Sequence, residues 1–368
     1  MVKRFRLVCT AAALVPLTLL AAACSSSSSA PAASKSPTAA AAANASGTSI
    51  TETGSTILFP LFGAWQTAYS TANPKVTITS GATGSGTGIT DAGEDLVNIG
   101  ASDAPLSASD LAKYPGLLNI PLTVAAIMVN YNLTGVKSLN LNGKVLAEIY
   151  TGKITTWNDP AIAALNPGAT LPSARIVTLH RADSSGATFQ FGSYLNAQDP
   201  SLWPAADIGT TITWPSVPGA VAETGNGGMV TGCAGIKDCI AYIGNSYEAK
   251  TDAAGLGQAS VANKAGKYTT ATPAAISAAL ASFPAVPAAG AEQLINTSAP
   301  TGYPIINYEY AIVKKTQPSA AEAKAIKAFL SWILTTGDTS KYLSATFGTA
   351  VPSATTSVSQ TLVGSLSG

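Results

Sequence analysis

The amino-acid sequence predicts an α/β protein built as two lobes, with a ligand site in the cleft between them. Three observations carry this. The chain has 368 residues, more than one hydrophobic core usually supports. Strand-like and helix-like stretches alternate along most of it, the pattern that covers a sheet with helices. Two long apolar runs of strand character, residues 120–130 and 303–313, lie far apart in sequence and suit an outgoing and a returning crossing between lobes. Composition agrees: with 46% hydrophobic residues, 11% charged and 33 Gly, the chain reads as globular, not broadly disordered.

The N-terminus points to export. Lys3, Arg4 and Arg6 precede an apolar stretch from Leu7 to Leu20, and Ala21, Ala22 and Ala23 lead into Cys24. A positive start, an apolar segment short of the roughly 20 residues a membrane span needs, and small residues before a cut make a secretory signal. The residues before Cys24 are similar to a bacterial lipobox, whose cysteine carries lipid and becomes the new first residue. Leu20 stands one place early for that motif and Ala21 takes the usual leucine position; plain secretion with Cys24 unmodified is the alternative. Residues 1–23 are thus expected to be removed, and residues 24–49, mostly Ser, Ala, Pro and Thr, to form a flexible tether from the membrane. Loss of Lys3, Arg4 and Arg6 takes the formal charge from +1 to −2, which offers no basic surface to a nucleic acid.

Residues 53–56 (Thr53, Gly54, Ser55, Thr56) close a short strand signal and open a helix over residues 57–69, where Phe62, Trp65 and Tyr69 repeat at three and four residues. Pro60 falls in the first turn, where its missing N–H costs little. Thr56 is placed as the N-cap, with its hydroxyl and the N–H groups after it directed out of the helix start; simple capping accounts for it equally. Residues 76–79 alternate as a strand and run into a turn around Gly84, Ser85 and Gly86. That turn lacks the third glycine of a dinucleotide fingerprint and the lysine of a Walker loop. It leaves a backbone able to approach an anion, with the Ser85 hydroxyl as donor. A strand over residues 96–100 ends near Asp103, read as either an acceptor at a strand tip or a solvated turn.

Residues 144–160 alternate short helices and turns, and a strand over residues 175–179 leads to the turn containing Arg181, Asp183, Ser184, Ser185, Gly186 and Ala187 before a helix near Thr188. A helix start presents unpaired N–H groups and a positive dipole end, and an arginine adds a charged fork that fits a tetrahedral oxyanion. Ser and Gly are also ordinary caps. His180 should face away from Arg181 on the strand and is read as structural. Residues 225–229 mark a further turn before a helix. Cys233 and Cys239, with five residues between them, are expected to form a small-loop disulfide in an exported chain, since the single His makes a metal pair there improbable. A strand over residues 240–243 follows, and residues 253–299 carry no recognisable chemistry. Ser319 and Glu322 suggest a capping box, and Ile326, Phe329 and Ile333 a helix ending at Gly337.

Taken together, Gly54 to Thr56, Gly84 to Gly86, Gly100 to Pro105, Ile149 to Ile154 with Trp157, His180 to Gly186, Asn226 to Met229 and Tyr303 to Tyr308 resemble the PstS family, the phosphate-binding lipoproteins of the phosphate-specific ABC transporter, and look most like its actinobacterial members. The resemblance covers essentially everything from Thr51 onward. It implies a two-lobe periplasmic-binding-protein fold of the second type, hinged on two crossing strands, with residues 50–125 and 306–368 as one lobe and 126–305 as the other. It also implies a ligand shell: Thr56 through hydroxyl and backbone, the N–H of Ile57, the Ser85 hydroxyl, Arg181 held by Asp183, Ser185, and the N–H groups of Gly186 and Ala187, with Asp103 as the one acceptor. Inorganic phosphate and a membrane ABC permease are the implied partners, with no cofactor and no metal. Ala187 departs from the pattern, because many members carry a hydroxyl residue there; a lost donor would weaken binding by roughly 1 to 2 kcal/mol.

Three other readings stand beside this one. A receptor for another oxyanion or a phosphorylated solute shares the donors, although Asp103 argues against sulfate. A secreted phosphatase needs clustered metal ligands that one His cannot help complete, and neither Ser85 nor Ser185 lies in the G-x-S-x-G of a serine hydrolase. A surface adhesin role is compatible with a long tether.

Overall fold

The computed structural model describes residues 47–346 and 348–368. The signal peptide, Cys24 and nearly all of the tether fall outside the described residues. The chain runs through β1 (Thr48–Gly54), α1 (Phe59–Ala72), β2 (Val76–Thr79), α2 (Ser85–Gly93), β3 (Ile99–Ser102) and α3 (Ala108–Lys113) into β4 (Leu117–Tyr131). A middle section holds β5 (Asn140–Leu141), α4 (Gly143–Tyr150), α5 (Pro160–Leu165), β6 (Val177–Arg181), α6 (Gly186–Gln198), β7 (Val221–Glu223), α7 (Gly225–Gly235), β8 (Cys239–Gly244), α8 (Glu248–Ala253), β9 (Gly257–Gln258), β10 (Ser260–Ala262), β11 (Tyr268–Thr269) and α9 (Pro273–Leu280). The chain returns along β12 (Ile306–Lys314) and ends in α10 (Ala320–Trp332), α11 (Ser340–Leu343) and α12 (Ser353–Gly364).

Among the described residues the main sheet has nine strands in the order β2, β1, β3, β12, β4, β8, β6, β7, with β9 also on β4. β1 is parallel to both β2 and β3, while β12 is antiparallel to β3 and β4. β4 pairs with β12 from Leu117 to Ala126 and with β8 from Ile127 to Tyr131, so one 15-residue strand is shared by two regions of sheet. This is the apolar run the sequence marks as a crossing, and its side chains from Ile120 to Tyr131 are all buried, as a strand covered on both faces requires. β12 is the second run. It begins at Ile306, and its register on β4 shifts between Glu309 and Tyr310.

Two apolar clusters flank the sheet. One packs Ile50, Phe62, Trp65, Ile99, Ile120, Ile312's neighbour Val313, Phe329 and Leu330; the other gathers Ile127, Val129, Leu146, Trp157, Phe191, Tyr242 and Ile306. The helical spacing of Phe62, Trp65 and Tyr69 is explained here, because all three face Phe329 or its cluster, with Phe62 at 5.6 Å and Tyr69 at 4.9 Å from that ring.

Several expectations need correction. The tether stops before Ser49: Thr48 and Ser49 already pair with Val76 and Thr77 in β1. Thr56 does not cap α1; Ser55 Oγ accepts the N–H groups of Ile57 (3.1 Å) and Leu58 (2.9 Å), because the chain makes one more turn before Phe59. Arg181 closes β6 and is not in the turn, and α6 begins at Gly186, capped by Ser185 Oγ. At α10 the Ser319 hydroxyl accepts the Glu322 N–H at 3.2 Å and itself, not the Ser319 N–H, bonds the Glu322 carboxylate.

Cys233 in α7 and Cys239 at the start of β8 form the expected disulfide, with Cα atoms 5.5 Å apart. Closing so short a loop restricts the unfolded chain only modestly, by about 2 kcal/mol. Replacing both cysteines by alanine is therefore expected to lower unfolding free energy by that amount in a urea titration, with the phosphate titration described below unchanged.

Candidate anion site

The ends of β1, β3 and β6 and the starts of α2, α6 and α7 meet at one place, and each brings polar groups to it. Gly84 makes the first approach possible. It lies at φ +96°, and a Cβ there would sit 2.5 Å from the Ser184 carbonyl oxygen, so only glycine lets α2 start against the β6–α6 turn. The Gly86 N–H donates to the Ser184 carbonyl at 3.2 Å across the same contact. Gly186 makes the second approach. A Cβ on it would lie 2.7 Å from both Asp103 Cβ and Ser85 Oγ, which puts the first residue of α6 directly against the acceptor and hydroxyl contributed by β3 and α2.

Ser85, Asp103, Arg181 and Ser185 are all at most 3% exposed. Ser85 Oγ accepts the Asp103 N–H at 3.2 Å, and the Asp103 carbonyl accepts from Asn307 Nδ2 at 3.0 Å and Gln190 Nε2 at 3.3 Å, so this residue is held from three elements. Its Oδ1 has no hydrogen-bond partner among the described residues. Burial pushes the Asp103 carboxyl above its usual value; hydrogen bonds from Ser55, Glu309 and Ser85 and the Arg181 charge pull it part of the way back.

Arg181 is fixed in a fork. Nε donates to Asp183 Oδ1 at 2.7 Å and Nη2 to Asp183 Oδ2, while Nη1 is buried and has no partner among the described residues. Burial raises the Asp183 carboxyl, but the bonds and charge of Arg181 and the Gly225 N–H at 3.0 Å outweigh it and hold the group below its ordinary value. The β6 backbone is held too, since the Arg181 N–H donates to Tyr242 Oη at 2.9 Å. A buried cationic N–H and a buried carboxylate oxygen, both without a partner among the described residues, are a donor and an acceptor suited to an anion that also carries a proton.

The remaining expected donors are placed differently. Thr56 is buried, and its Oγ1 accepts from Asn226 Nδ2 at 2.7 Å and from the Asn226 N–H at 3.3 Å, which leaves its one hydrogen to donate. The N–H groups of Ile57 and Ala187 are engaged by Ser55 Oγ and Ser185 Oγ, both at 3.1 Å. Ala187 is fully enclosed in the apolar cluster. His180 stands apart as read from the strand alternation: its ring stacks on Trp214 at 4.7 Å, and burial lowers its basicity.

Sequence reasoning missed Ser55, Asn226 and Glu309. Asn226 belongs to a turn and to a motif of the resemblance without an assigned role, yet it links Thr56 to β8, where its Oδ1 accepts the Gly244 N–H at 2.7 Å. Glu309 did carry a signal. It is the single charged residue in the apolar run 303–313, and a lone acid in a buried strand needs a partner. Among the described residues, no group of three or more His, Cys, Asp or Glu is arranged to hold a metal ion.

Comparison with known proteins places this arrangement in context. The model of the PBP superfamily domain matches residues 37–336. The chain is 32% identical over 294 residues to the phosphate-binding protein PstS of Pasteurella multocida, covering 78% of this chain and 83% of the relative. It is 30% identical over 295 residues to the phosphate-binding protein PstS 3 of Mycobacterium leprae, covering 77% of this chain and 78% of that one. Its fold is similar to a solved phosphate ABC transporter substrate-binding protein from Clostridium perfringens with bound phosphate, at a TM-score of 0.61 and 20% identity, covering 83% of this chain and all of that one.

Proposed function

The chain belongs to the PstS family of phosphate-binding proteins within the PBP superfamily, and from that premise we propose how its residues capture inorganic phosphate outside the cytoplasm for delivery to an ABC-type import permease. The observation that supports the assignment of residues is the pair of unpartnered buried atoms, Arg181 Nη1 and Asp103 Oδ1, the second on a residue packed against Gly186 at the start of α6. Arg181 supplies charge to the phosphate oxygens, the Gly186 N–H and the Ser85 and Thr56 hydroxyls donate further bonds, and Ser185 holds the start of α6 in register. Asp103 accepts the phosphate's own proton. The reading extends to the lobes: residues 50–125 with 306–368 form one and residues 126–305 the other. Its support is the change of partner along β4, from β12 up to Ala126 to β8 from Ile127.

The ligand is held without covalent change, so the protein binds and releases phosphate and does not turn it over. Cys24 bears the lipid that keeps the mature chain at the membrane, on the strength of the residues before it. Titration of the purified domain, stripped of anion, tests the binding assignment. Heat saturating near one equivalent of phosphate, with none for sulfate, is the expected result. Saturable sulfate binding in the parent, or turnover of a chromogenic phosphate ester, would overturn it.

A further inference from the structure

Glu309 is the most deeply placed acid that the phosphate shell does not use. It projects from β12 at the register shift on β4, is 1% exposed, has Oε2 3.0 Å from Ser55 Oγ, and has Oε1 without a partner among the described residues. Ser55 Oγ already accepts two backbone N–H groups, so it has one hydrogen to give, and that hydrogen points to Glu309 Oε2 at 3.0 Å. Glu309 thus takes that hydrogen, and the antiparallel register that pairs Tyr310 with Ser102 brings Glu309 across from Asp103, one step further along the strands. Two adjacent buried carboxylates cannot both stay ionised.

We propose that Glu309 is a neutral carboxylic acid that donates its hydrogen to Asp103, and that this makes it the positioning residue that keeps Asp103 an ionised acceptor for the phosphate proton. The assignment of the hydrogen follows from what faces each group. Asp103 has the Arg181 charge and the Ser85 hydroxyl to stabilise a carboxylate. Glu309 faces the Asp103 charge and the Ser55 hydroxyl. Burial first, and then the neighbouring Asp103 charge, raise the Glu309 carboxyl well above its ordinary value. The bond from Glu309 in turn lowers the basicity of Asp103. With the neutral acid on one side of it, Asp103 keeps Oδ1 for the ligand and resists protonation as the medium acidifies. A protonated Asp103 would offer a hydrogen to sulfate, so Glu309 sets how far into acid the site still rejects sulfate.

This inference rests on the phosphate reading above, and its test separates the two. An infrared difference spectrum of anion-free protein at pH 7 should show a carboxylic acid carbonyl band that Glu309→Gln removes; absence of the band in the parent overturns the proposal. Glu309→Gln keeps a donor for Asp103 and an acceptor for Ser55, so it should bind phosphate as the parent does and exclude sulfate down to the same pH. Phosphate binding at least about tenfold tighter in that variant would mean that a negative charge had been removed, and would also overturn it. Glu309→Leu keeps the volume and removes the donor. Its phosphate-to-sulfate ratio should fall by about tenfold or more, with sulfate entering at a higher pH than in the parent; an unchanged ratio at every pH counts against the proposal. If the leucine variant fails to fold, the infrared band and the glutamine variant still decide. Absence of phosphate binding in the parent would count against the functional reading alone, because the infrared band is read without ligand.

Discussion

Asp103→Asn is expected to admit sulfate while phosphate still binds. Phosphate near neutral pH carries at least one proton, which an ionised Asp103 takes as a short charge-assisted bond. Sulfate has none, so its oxygen would meet Oδ1 lone pair to lone pair in a place where neither can turn to water, because Asp103 is 2% exposed. Sites organised around such a bond discriminate by about 10⁴ or more. The asparagine amide faces the ligand with a donor instead, which removes the repulsion and gives sulfate a partner. Competitive calorimetry with both anions measures the ratio, and a variant that bound phosphate and still excluded sulfate as the parent does would show that the acceptor lies elsewhere. The parent should drift the same way in acid. Asp103 is raised from its usual value mainly by burial, so it gains a proton as pH falls through that raised value, and its selectivity declines there.

Arg181→Met should cost both affinity and stability. The side chain is 1% exposed and gives two of its N–H groups to Asp183, leaving Nη1 for the ligand. Its loss removes a charged hydrogen bond to phosphate, about 1.5 to 3 kcal/mol or tenfold to more than a hundredfold in Kd. It also leaves the half-buried Asp183 carboxylate without its counter-charge, which costs about 3 kcal/mol or more when one partner of a buried pair is deleted. Arg181→Lys is not a neutral exchange, because one ammonium cannot hold both Asp183 oxygens and still present a fixed donor to the site. Calorimetry and thermal unfolding report the two losses separately. The sign with pH is set by Asp183: its folded value lies below its ordinary one, so the pair stabilises the fold above that ordinary value and the contribution fades as acid passes through the folded value. An Arg181→Met protein with the parent's phosphate affinity would place the charge that binds the anion on another residue.

Much of the site was legible because short motifs dictate local chemistry. A serine before a glycine at a helix start, an arginine two residues before an aspartate on a strand end, and an aspartate after Gly100, Ala101 and Ser102 each announce a donor or an acceptor within a few residues of chain. The misplacements occurred where two hydroxyls or two amides compete over a similarly short distance. Ser55 and Thr56 are adjacent and both suit a cap; which one turns back onto the helix depends on one extra turn before Phe59, and the answer sends Thr56 Oγ1 to Asn226 instead. The N–H of Ala187, expected as a ligand donor, bonds the Ser185 hydroxyl two residues back at 3.1 Å.

Periodicity and composition by themselves determined the alternation of strand and helix, the two apolar crossing strands and the disulfide partners, because each depends on side-chain type along one segment, while the ligand shell came from the resemblance to the family. Only the tertiary structure decided which of these groups remain unsatisfied. Asp103 and Glu309 lie 206 positions apart in the chain, and nothing in either local sequence says that the two acids are brought across from each other. That outcome follows from β12 pairing between β3 and β4, with its register shifting between Glu309 and Tyr310.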